Sequence, residues 1–95
     1  GTGNDLSIYH DGSHSYVKDN GTGNLILAGT QVNILNAAAN ESMIRAAENG
    51  AVELYHDNNK KLETTSTGIN VTGAITVNGA ALSGGSSYAS LLQHF

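Results

Sequence analysis

Apolar residues along this chain keep to alternate positions for a few residues at a time and then give way to Asn, Asp and Gly. Leu6 and Ile8 alternate with Ser7 and Tyr9 before Asp11-Gly12. Ser15 to Lys18 reads as the return strand, ended by Asp19-Asn20-Gly21, residues that tolerate positive φ in tight turns. Leu25-Ile26-Leu27 is an unbroken apolar triplet, which predicts a short strand covered on both faces. Val32 and Ile34 alternate again in Gln31 to Leu35. Period-2 patterning of this kind predicts half-buried strands.

The stretch 36–50, NAAANESMIRAAENG, allows two readings. Propensity favours a helix over Ala37 to Ala47, stopped at Asn49-Gly50. The other reading is a strand at Ser42 to Ala47, a turn at Glu48-Asn49-Gly50 and a strand from Ala51 to His56. The hairpin is preferred, because Asn-Gly lies between two short runs and the second run belongs to a repeat.

That repeat organises the chain. Tyr9-His10-Asp11 returns as Tyr55-His56-Asp57, each preceded by an alternating apolar pair and followed by a polar turn. Thr22-Gly23 answers to Thr67-Gly68 once one residue is dropped from the first copy. Related units therefore lie near 6–29 and 52–73, each a strand, turn, strand and turn. The second unit brings a hairpin, Val52 to His56 with Lys60 to Thr65. After it, Ile69, Val71, Gly73, Ile75 and Val77 share one parity while Asn70, Thr72, Thr76 and Asn78 take the other. Gly73 marks a kink, a bulge or a close approach of backbones.

The chain divides into a repetitive β-rich segment at 1–82, a Gly/Ser linker at 83–87 and an amphipathic end at 88–95. In that end Tyr88, Leu91, Leu92 and Phe95 fall on one helical face. It is too short to be stable alone, and so is expected to dock on another surface. The opening Gly-Thr-Gly-Asn recurs at 21–24, as expected of a chain that starts inside a repeat.

Composition changes the picture at one point. Leu, Ile, Val and Phe number 21 of 95 residues, barely above the roughly 20% below which chains stay disordered. With no Cys to staple it, such a chain can hardly offset an ordering entropy of about 1–2 kcal/mol per residue. Association with further copies is the expected remedy. The longest single-parity apolar row, Ile69, Val71, Ile75 and Val77, is the candidate core of that assembly, with Leu91 and Phe95 joining it from the C-terminal end.

A formal charge of −4, with only Lys18, Arg45, Lys60 and Lys61 positive, argues against nucleic acid, which calls for a basic stripe. No apolar run approaches the ~20 residues of a membrane span, so no membrane insertion is expected. Sequons at Asn20, Asn40 and Asn70 are what chance provides in a chain rich in Asn, Ser and Thr.

Catalytic chemistry is not suggested. His10-Asp11 and His56-Asp57 are sequence neighbours that point to opposite sides of a strand, so neither makes an orienting dyad. Glu41, Glu48, Glu53 and Glu63 are scattered as solvated carboxylates are. His10 and His56 continue the parity of the apolar pairs, and around a three-fold axis each could meet its symmetry mates at a metal. A rim histidine beside a turn is the plainer reading, and no metal or other cofactor is expected. Neither an EF-hand loop nor a nonapeptide calcium repeat is present.

IYHDGSHSYVKDNGTGNLIL and GAVELYHDNNKKLETTSTGINVTGAITVNG together resemble the repetitive segments of tail-fibre and related structural proteins of tailed bacteriophages, especially marine ones. The resemblance covers most of 5–82. It implies an all-β, elongated fibrous homotrimer of short strands and hairpins, β-prism or triple-β-helix-like; the short C-terminal helix is expected from the spacing of Tyr88, Leu91, Leu92 and Phe95 alone. It also implies an extracellular place in the virion, as a shaft or host-contact element beside other virion structural proteins and a host surface glycan. It names no receptor-binding residue. Two alternatives stand beside it: a carbohydrate-binding module stacking sugars on Tyr9, Tyr16, Tyr55 and Tyr88, and a trimeric adhesin fibre of a bacterial surface.

Overall fold

Nine short strands joined by turns and bends make up the computed structural model, which describes residues 3–82. In order they are β1 (Leu6–His10), β2 (Ser15–Asp19), β3 (Gln31–Leu35), β4 (Ser42–Ala47), β5 (Val52–His56), β6 (Asn59–Thr64), β7 (Ile69–Val71), β8 (Thr76–Val77) and β9 (Ala80–Ala81). They form three antiparallel sheets: β1-β2, the five-stranded meander β3-β4-β5-β6-β7, and β8-β9. The all-β expectation holds for the described residues. The hairpin reading of 36–50 is the one observed, and no helix forms at 37–47.

The turns show why the chain reverses where it does. Asp57 and Asn58 take φ of 48° and 63° between the paired His56 and Asn59. Two positive-φ residues make the tight hairpin turn whose twist matches the strands. Asn78-Gly79, at 51° and 80°, does the same between Val77 and Ala80. The first hairpin has a longer loop, in which the Asp11 carboxylate accepts the backbone N–H groups of Ser13 (2.9 Å) and His14 (2.7 Å). Asn36 plays the matching part between β3 and β4, its Oδ1 accepting from the N–H groups of Asn40 and Glu41, both at 2.9 Å. Thr65 closes the turn into β7, its N–H donating to Gly68 O at 2.7 Å.

Two expectations need correction. Leu25–Leu27 is not a strand, because no other strand lies beside it to pair with. The single-parity run 69–77 is not one strand either. β7 ends at Val71, and Gly73 at φ 112° turns the chain away, leaving Ile75 and Val77 on the separate β8-β9 hairpin. Nothing lies within 4 Å of a Cβ built on Gly73, so its backbone angle and not crowding calls for glycine. Leu91 and Phe95, the linker 83–87 and the end 88–95 lie outside the described residues.

Among the described residues no side chain is buried. No strand of one sheet packs on a strand of another. The molecule measures 58 × 27 × 27 Å, and its radius of gyration is 19.0 Å, against about 12 Å for a compact domain of this length. Each sheet thus has a backbone ladder but no core above it.

Candidate assembly face

The register of the five-stranded sheet sorts its side chains. Residues opposite one another in a ladder share a face, and positions two apart along a strand share it too. Ile34 pairs with Ile44, Ile44 with Leu54, Leu54 with Leu62, and Leu62 with Val71. These pairs draw one unbroken aliphatic row across all five strands. A second row lies two residues along, through Val32, Ala46, Val52, Thr64 and Ile69. Neither row holds a charged side chain. At a strand spacing of about 4.8 Å the first row is about 19 Å long, while two positions along a strand span only about 7 Å.

This face is uncovered: Ile69 is 65% exposed, Ile34 45% and Leu54 42%. Ile69 and Val71, two of the sequence-predicted core residues, lie in these rows, whereas Ile75 (48% exposed) and Val77 (56%) do not. Ile34, Ile44, Leu54 and Leu62 were missed by sequence reasoning. Bulges between Ile34 and Leu35, and between Leu54 and Tyr55, slip the register at Met43 and Lys61. The alternation of β4 and β6 is broken there, so only the turns and the pairing could have revealed it.

The opposite face is polar and knit together. Arg45 lies opposite Glu53, and Glu53 opposite Glu63. Lys60 Nζ bridges the two carboxylates, 3.2 Å from Glu53 and 2.8 Å from Glu63. The Tyr55 hydroxyl donates to Glu53 at 2.9 Å and Asn70 Nδ2 to Glu63 at 3.2 Å. The Tyr55 hydrogen bond, then Lys60, lowers the pKa of Glu53 from its ordinary 4.5. Lys60 and Asn70 lower that of Glu63, and both carboxylates raise that of Lys60. These contacts tie β4, β5, β6 and β7 together across the polar face.

His10 ends β1 opposite Ser15, with Nδ1 3.0 Å from Ser15 Oγ. His56 ends β5 opposite Asn59. The two share no sheet, and no group of three or more His, Asp or Glu suited to a metal occurs among the described residues. Tyr9 and Tyr16 stack across the first hairpin with ring centroids 4.7 Å apart. Tyr55 belongs to the other sheet, and Tyr88 lies outside the described residues. Two shallow clefts, about 170 and 290 Å³, fall below the ~300–1,000 Å³ of small-molecule pockets. Among the described residues no helix is long and apolar enough to cross a membrane.

Set beside known proteins, the chain matches no family model, no curated protein and no solved structure.

Proposed function

We propose that this chain is a segment of a virion fibre, a structural and adhesive shaft in which three copies share one core. The observation that carries the reading is the aliphatic row Ile34–Ile44–Leu54–Leu62–Val71, laid across five strands in a chain with no buried residue among those described. Exposed apolar faces of this continuity mark association surfaces. The stripe is long and narrow, a shape that suits three copies packed around an axis parallel to the row. Strands then lie across the fibre, and each contributes one layer to an apolar column. A net charge of −4 per chain opposes self-association, but the Arg45, Glu53, Lys60 and Glu63 cluster faces away from the column.

The biological setting rests on the resemblance of 5–82 to tail-fibre repeats. A trimeric adhesin fibre of a bacterial surface obeys the same physics and differs in what carries it. Antibody against the chain, imaged by electron microscopy on virions whose genome encodes it, separates the two. Decoration of the tail appendages is the expected result. Unlabelled virions, with the antigen in the bacterial surface fraction, would contradict the virion assignment.

A further inference from the structure

The first repeat ends in an apolar segment, Leu25–Leu27, that has no partner. Its hairpin sets Ile8 opposite Val17 just as the second sets Leu54 opposite Leu62, and Tyr9 opposite Tyr16 as Tyr55 opposite Lys60. In the second unit a third strand follows: β7 adds to the outer edge of β6 with Val71 opposite Leu62 and Ile69 opposite Thr64. Since Thr22-Gly23 matches Thr67-Gly68, Asn24 and Ile26 stand where Ile69 and Val71 do. Yet no hydrogen bond joins the backbone of Leu25, Ile26 or Leu27 to another described residue. Ile26 is 78% exposed and Leu27 66%. The outer edge of β2, where the repeat would seat them, is equally unpaired.

The exit from β2 explains why the segment does not fold back on its own hairpin. In the second unit Thr65 reverses the chain toward β6. In the first, Asn20 extends the ladder toward the β1 side instead. Its N–H donates to Asp5 O at 2.6 Å, and its side-chain amide donates to Asn4 O at 3.0 Å and to Ser7 Oγ at 2.6 Å.

We propose that Leu25–Leu27 of one chain adds, antiparallel, to the outer edge of β2 in a neighbouring copy, with Ile26 opposite Val17. The occupant is a second copy because each chain carries both halves of the contact, one unpaired apolar segment and one unpaired edge whose register the repeat supplies. Such a head-to-tail contact closes into a ring when the rotation allows. Strand addition supplies the missing main-chain bonds, and Ile26 prolongs the apolar pair Ile8 and Val17 as Val71 prolongs Leu54 and Leu62. This exchange rests on the trimer reading and adds to it a lock between chains.

The chain has no cysteine, so single thiols report cleanly. Val17 and Ile26 are 55% and 78% exposed, and Cys at either leaves the chain's own ladders intact. Chains carrying Val17→Cys and chains carrying Ile26→Cys are assembled together and treated with a short thiol-to-thiol crosslinker, with sedimentation run in parallel. The expected result is a crosslink between the two kinds of chain, absent when either is assembled alone. Trimers that give no such crosslink overturn the exchange and leave the trimer standing. So does a doubly substituted chain linked only within itself. Monomers in sedimentation overturn both.

Discussion

Leu54 lies directly opposite Leu62 across the β5-β6 ladder, and Ile8 stands to Val17 in the same way at the other end of the chain. The Leu54–Leu62 pair is flanked on both sides, by Ile44 and by Val71; the Ile8–Val17 pair is not. The same local code thus yields a two-stranded ribbon in one place and the middle of a five-stranded sheet in the other. Neither pair is covered from above, and that shared lack motivates the predictions.

Leu54→Asp is expected to abolish assembly. Each chain would lose about 1.5–3 kcal/mol of apolar burial in the shared column. It would also incur a desolvation penalty of several kcal/mol for the carboxylate. Asn33→Asp, on the polar face opposite Arg45, is the control and should stay within about 0.5 kcal/mol of the parent. Analytical ultracentrifugation and thermal melting of both variants check this, and a Leu54→Asp assembly as stable as the control would refute it.

Stability should fall at both ends of the pH range for reasons traceable to one cluster. Glu53 and Glu63 have pKa values lowered from 4.5, so their contribution is present above that value and is lost as pH falls through the lowered ones. The Lys60 value is raised from 10.5, so its contribution is complete below 10.5 and is lost as pH rises through the raised value. Because the groups are partly solvated, the effect is modest and weakens with salt. Melting curves against pH should show the acid loss shrink in Glu63→Gln, and an unchanged acid limb would argue against the cluster.

Asp57 is expected to tolerate glycine and reject a β-branched residue. Its φ of 48° lies in the left-handed region, which costs an ordinary L-residue roughly 1–2 kcal/mol. Asp57→Ile should lower the melting temperature, while Asp57→Gly should match or exceed the parent. Equal melting of the two would mean that the β5-β6 turn is not built on that angle.

Much of the fold was legible because the turns announce themselves. Asp57-Asn58 and Asn78-Gly79 take the positive angles their residue types favour, and the repeat pointed to both hairpins. The row that defines the candidate face was not legible. The bulges at Met43 and Lys61 shift parity inside β4 and β6, so Ile44 and Leu62 sit among residues that hide their direction. Run 69–77 misled in the opposite sense. Its parity is unbroken in sequence, yet Gly73 interrupts it in space, and counting by twos cannot register a change of φ. Leu25–Leu27 reads in the sequence as a strand covered on both faces, yet in this chain it is exposed and unpaired, since pairing depends on a neighbour that sequence does not position.

The central claim is that the apolar row is a core shared by three chains. Sedimentation equilibrium of the parent protein tests it most directly. A species of about three times the 9.8 kDa chain mass is the predicted result, and it should persist on dilution. A stable, folded monomer of 9.8 kDa would contradict it, because a chain with its aliphatic row open to water would then be holding its sheet without a core.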